Sequence, residues 1–387
     1  MDAIETAALP RIANLDIGGR QFDTDSPALA EALADAHRRQ LRPRCLCRPG
    51  GIEMYVARLG GGHIVKRMPD SGSAHDPACP SFEPDAYSSG LGQLIGSAIV
   101  EDLSTGATTL KLDFALSVQP GRQAPTGQGA PAGTVRNAGA RLTLRSLLHY
   151  LWHQAELARW HPGLAGLRNW RTVRRQLLQA AAEMVAGGAT LASRLYVPEV
   201  FSVEQKDQIA GRRCQHWASS AVRPGRPQPL LLLIGEVKEI VPGRHGYRAV
   251  IKHVPDVAFA MDEQLYRRIE TRFADELALW NASEGIRMIV IAAFGLNETG
   301  LPYIAGLYLM TVTRHWLPVE NAAEWQLVDR LVDDQRAFLK VLRYDLRRDT
   351  PLASVALTDR GDPTPLLYAG SANDIDPHHP DPNTVTD

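Results

Sequence analysis

Four residues near the start of the chain have the types and spacing of a metal clip: Cys45 and Cys47, one residue apart, then His75 and Cys79, three residues apart. They include three of the chain's 4 cysteines. A structural zinc ion takes four thiolate or imidazole ligands in a tetrahedron, and Cys-x-Cys with His-x3-Cys supplies a Cys3His set from two short segments. Inert buried cysteines pack as small hydrophobes, whereas these are flanked by Arg44, Arg48, Asp76 and Pro80. Three cysteines cannot pair off as disulfides, and the N-terminal residues read as lacking an export signal, which predicts a cytoplasmic protein with reduced thiols. Four soft ligands leave no open position for a substrate. The clip therefore reads as structural zinc.

A second chemistry lies in Gly235-Glu236-Val237-Lys238. Glu236 and Lys238 fall on one face of a strand that follows an apolar run, as in the Glu-x-Lys half of a restriction-type nuclease core. Such a reaction needs carboxylates for magnesium and a lysine near the attacked phosphate. The aspartate on a preceding strand is missing, since the nearest acid before Leu230 is Asp207 in a predicted helix.

A third signal is charge distribution, which the formal net charge of -1 conceals. Residues 141–229 carry 13 basic and 5 acidic side chains, against 11 and 15 in residues 1–118 and 16 and 23 in residues 230–387. A local positive field suits phosphate, and the candidate nucleic-acid contacts are Arg168, Arg171, Arg174, Arg175, Arg212 and Arg213. An arginine-rich solvated surface balancing two acidic flanks has the same composition. No phosphate-binding loop, nucleophile elbow or dinucleotide fingerprint is present, so no cofactor other than zinc is implied.

These residues must be positioned by ordinary elements. Residues 52–59 and 63–68 alternate around Gly60-Gly61-Gly62 and predict a hairpin that brings the two ligand pairs to one end of a ribbon. A helix is predicted from Ser26-Pro27 to Arg38-Arg39, with serine as its cap, and a hairpin over 97–117. Residues 119–140 are rich in Pro, Gly, Gln and Ala and predict a flexible linker. Beyond it, helices are predicted over 142–159, with His149 and His153 on a polar flank, and over 170–185. Residues 230–369 alternate strand pairs with helices over 262–280 and 321–346, and 371–387 reads as a disordered tail. The longest apolar runs, 230–234 and 288–294, are too short to cross a bilayer, so no membrane association is expected. The predicted class is α+β. It comprises an N-terminal zinc-ribbon-like β domain at 1–118, the linker, a basic helical region at 141–229 and an α/β mixed-sheet domain at 230–370.

The segments Arg44-Cys45-Leu46-Cys47, Lys66-Arg67-Met68-Pro69, His75-Asp76-Pro77-Ala78-Cys79-Pro80-Ser81-Phe82, Leu147-Leu148-His149-Tyr150-Leu151-Trp152 and Gly235-Glu236-Val237-Lys238-Glu239 together resemble an uncharacterised bacterial family, domain of unknown function 1173. The resemblance implies Cys45, Cys47 and Cys79 as a family hallmark, leaving Cys214 outside the pattern. It also implies frequent residence on plasmids and integrative elements. The leading expectation is a non-enzymatic, zinc-stabilised accessory protein of such an element that binds nucleic acid. A metal-dependent nuclease using Glu236 and Lys238, and a protein-binding scaffold, are the alternatives.

Overall fold

The computed structural model describes residues 14–59, 62–119, 140–244 and 246–370. The predicted linker, apart from its two ends, and the predicted tail lie outside the described residues. What is described is mixed α+β, with several sheets and their helices.

The ribbon forms as the alternation predicts. Strands Ile52–Leu59 and Gly62–Arg67 pair antiparallel, with Val56 opposite Val65. The sheet extends outward through Arg44–Cys45, Leu15–Ile17 and Arg20–Phe22, five strands in all. Helix Leu29–Arg38 packs on it through Leu33 and Ala36. That helix starts later than Ser26 suggests: Ala28 is the N-cap, without a side-chain cap bond.

The apolar run before Gly235 becomes one long strand, Leu231–Gly243. Successive side chains of a strand point to opposite faces. Leu232 and Ile234 enter one apolar cluster, while Leu231 and Leu233 enter another. Both faces are covered, which is why the run does not alternate with polar residues. Its first half pairs with Ile286–Leu296 and its second half with Gly246–Ile251. Pairing continues through Ala258–Met261 and Pro302–Thr313 back to Ile286–Leu296, so the strands form a ring.

Several boundaries differ from the sequence reading. The helix expected over 321–346 is Ala322–Asp333, capped at its start by the Asn321 side chain. Gln335 takes φ of 54° just beyond its end, and Phe338–Lys340 is a strand. This strand pairs with Val355–Leu357 and Arg159–Trp160 in a separate sheet rather than joining the ring. The helix expected over 262–280 breaks at Phe273 into Glu263–Arg272 and Ala274–Ala282. In the middle region, Met184–Ala186 pairs in parallel with Thr108–Leu110, and Leu195–Tyr196 with Leu232 and Leu233. The principal core likewise crosses the predicted boundaries, joining Leu94, Ile99 and Leu110 to Leu147, Leu151 and Leu177, and to Leu232, Ile234 and Ile291.

Candidate metal centre

Two turns present the clip. Cys45 ends its short strand opposite both Leu15 and Ile52, and the chain then reverses through Cys47 and Arg48, where the Gly51 N–H donates to the Arg48 carbonyl at 3.0 Å. The second turn follows Gly72–Ala74, with the His75 N–H on the Gly72 carbonyl and the Cys79 N–H on the Asp76 carbonyl at 2.8 Å. Gly72 is required by a close approach: a Cβ there would stand 2.7 Å from the Glu83 Cβ.

Together these turns bring the ligand atoms of Cys45, Cys47, His75 and Cys79 within 4.8 Å of one another. Cys45 Sγ lies 3.7 Å from Cys79 Sγ, and His75 Nδ1 lies 3.4 Å from Cys47 Sγ and 3.7 Å from Cys79 Sγ. A tetrahedral ion with bonds of about 2.3 Å to sulfur and 2.0 Å to nitrogen requires edges of about 3.8 and 3.5 Å. The four residues are positioned to hold a metal ion.

Burial and electrostatics fit such a guest. Cys45, His75 and Cys79 are buried, and Cys47 is half-buried. His75 Nε2 is buried without a hydrogen-bond partner, while Nδ1 faces the sulfurs. The Asp76 N–H points at Cys47 Sγ at 3.5 Å. Hydrogen bonding from Cys45 pulls the Cys79 thiol down to about 4 against the effect of burial, with His75 and the Ser81 N–H assisting. Cys79 beside it and burial push Cys45 up. Burial also pushes Cys47 up, so a metal taking all three sulfurs as thiolates would release protons as it binds.

The centre is fastened to the rest of the molecule by groups to which the sequence alone assigns no such role. Arg159, buried, donates to the Pro80 and Phe82 carbonyls at 2.9 and 2.7 Å. Glu83 pairs with Arg67 and lies 2.7 Å from His153 Nε2. Burial would raise the Glu83 pKa, but Arg67, His153 and Arg159 hold it at about 2. Arg48 reaches Asp362 at 3.0 Å. The available signal was Lys66-Arg67-Met68-Pro69, which carried the family resemblance without being assigned a role.

The histidines predicted on a polar flank are both engaged. His149 is buried with Nδ1 2.6 Å from the Arg343 carbonyl oxygen, because its face of the helix packs on the loop that follows Phe338–Lys340. Burial lowers its pKa to about 3.

The six candidate arginines do not form one free surface. Arg168 is spent on the backbone carbonyls of Leu157, His315, Glu156 and Arg159. Arg174 donates to the Val197 carbonyl at 3.0 Å. Arg212 grips Glu199 and Arg213 grips Asp256, each through two bonds. Arg171 and Arg175 are exposed on helix Trp170–Ala182. Cys214 is exposed.

Glu236 is buried, with Oε1 accepting from Lys252 Nζ at 2.5 Å and from Arg287 at 3.2 Å. Lys238 is exposed, at a register shift between Val237 and Glu239. Among the described residues, the cysteine and histidine clip is the group of three or more His, Cys, Asp or Glu that could hold a metal.

The family model for a protein of unknown function, DUF1173, matches residues 15–385. The chain belongs to the DUF1173 family. The match takes in both turns of the metal centre and the ring of strands, so one family unit contains them. No curated protein and no solved structure matched the chain. Among the described residues, no helix is long and apolar enough to cross a membrane.

Proposed function

We propose that this DUF1173 protein is a non-enzymatic binding protein stabilised by a structural zinc ion, with nucleic acid as its partner. The observation that carries the structural role is the closed ligand set: three sulfurs and one imidazole nitrogen account for all four corners of a tetrahedron. Cysteine and histidine favour zinc over the hard cations that prefer oxygen. The nuclease alternative receives less support, because Glu236 is already neutralised by Lys252 and Arg287. Binding magnesium there would require displacing both cations.

For nucleic-acid contact, the supporting feature is the exposed pair Arg171 and Arg175, four residues apart on one helix face. Exposed Arg223 and Arg226 add to the positive character of the same region. An accessory role in a mobile element belongs to this proposal. The test is fluorescence anisotropy with labelled single- and double-stranded DNA and RNA across a salt series. Affinity should fall steeply with salt, and Arg171→Ala with Arg175→Ala should weaken binding and flatten the slope by about two contacts. Absence of binding at low salt to all four probes overturns the partner assignment. Cleavage of any probe with magnesium or manganese overturns the non-enzymatic one.

A further inference from the structure

A cavity of about 270 Å³ opens beside the metal centre. One wall is chain that the metal turns fold: Lys66, Arg67, Met68, Ser81 and Glu83. The facing wall carries Leu91, Ile95, Ile99, Glu101 and Tyr150. The volume lies near the lower end of small-ligand sites, and the mixture of apolar walls with a few polar groups is characteristic of them.

The balance of charge in these walls narrows the ligand. Glu83 has Arg67, Glu156 has Arg159 at 3.1 Å, and Glu183, behind Lys66, has Lys66. Glu101 is different. Its Oε2 accepts the Tyr55 hydroxyl at 3.3 Å, and no ion pair with a basic side chain engages it among the described residues. Arg67 is near enough to interact electrostatically with Glu101, but Glu83 holds it and Glu156 competes for it. Among the described residues Asp70 and Glu101 are then the lining carboxylates without an ion pair; Asp70 is exposed, whereas Glu101 is half-buried beside apolar surface and gains more from a charged hydrogen-bond donor.

We propose that this cleft binds a small organic cation, with an amine or guanidinium group on Glu101 and an apolar body against Leu91, Ile95 and Ile99. No covalent step is involved. The site is independent of nucleic-acid contact by Arg171 and Arg175, so either proposal can fail alone.

The test is isothermal titration of the metal-loaded full chain with phenethylamine, agmatine and, as an anion of similar shape, 3-phenylpropanoate. Phenethylamine should bind saturably at one site, and 3-phenylpropanoate at least about tenfold more weakly. Glu101→Gln should weaken phenethylamine by about tenfold or more, the size of a lost charge-assisted hydrogen bond. Ile95→Trp, which fills the apolar side and leaves Glu101 in place, should abolish binding, and it carries the test if Glu101→Gln does not fold. Melting curves establish that each variant is folded. No saturable binding of either amine, equal binding of the anion, or unchanged binding by both folded variants overturns the proposal.

Discussion

The ribbon around the metal centre and the ring of strands around Leu231–Gly243 are stabilised in opposite ways. In the ring, the central strands bury apolar side chains on both faces, and Phe259, Phe294, Ile234 and Ile291 are almost wholly removed from water. In the ribbon, the apolar clusters are small: Ile17, Phe22, Leu33, Ala36 and Val56 form one, and Leu15, Met54, Cys45 and Cys79 form the other. Two members of that second cluster, Cys45 and Cys79, belong to the candidate metal centre. So small a core offsets little chain entropy, and under the proposed zinc role a metal at the four positioned residues would join the ionic clasps in replacing the missing apolar burial. The proposal therefore makes the ribbon's fold depend on a metal and on its attachment, and the ring's on neither.

The largest effect should come from removing the metal. Structural zinc contributes about 10–16 kcal/mol in small zinc domains. Chelation or Cys79→Ser should therefore unfold the ribbon and close off the neighbouring cleft, while the ring stays folded. Hydrogen exchange reads this directly: protection of residues 52–67 should be lost and that of residues 231–237 and 288–294 retained. Simultaneous loss of both would break the contrast.

The converse experiment strikes the ring. Leu232→Ala, at a fully buried site, should cost about 2–5 kcal/mol in urea unfolding and leave metal stoichiometry unchanged.

A smaller effect tests the clasp that fastens the ribbon to the rest of the molecule. The folded-state pKa of Glu83, about 2, lies below that of an ordinary glutamate, so its contribution is fully present above the unfolded value and is lost as pH falls from about 4.5 towards 2. The stability difference between the parent and Glu83→Gln should be on the order of 3 kcal/mol above pH ~5 and shrink across that window. A pH-independent difference would assign the clasp to shape rather than charge.

The same contrast explains what could be read from sequence. The ribbon was legible because its signals are local: the alternation at 52–59 and 63–68, and ligand types that few other roles require. The long strand was legible as a buried run. The partners of the arginines were not, because Arg168, Arg213 and Arg159 meet carbonyls or carboxylates brought near only by tertiary contacts. Composition marks a region as basic and cannot say which charges fold inward. The boundary after Asp333 was missed for a related reason: residues 338–340 form a strand because Trp160 and Leu357 lie alongside them. In the sequence Glu236 reads as an open carboxylate, because Lys252 and Arg287, its partners, sit on other strands or beyond their ends.

The most direct test is elemental analysis of the purified chain combined with X-ray absorption at the metal edge. The structural role predicts one zinc per chain, with three sulfur neighbours at about 2.3 Å and one nitrogen at about 2.0 Å, lost on Cys79→Ser together with the ribbon's protection. A metal-free chain whose residues 52–67 remain protected, or an ion with an oxygen ligand and fewer than four protein ligands, would contradict it.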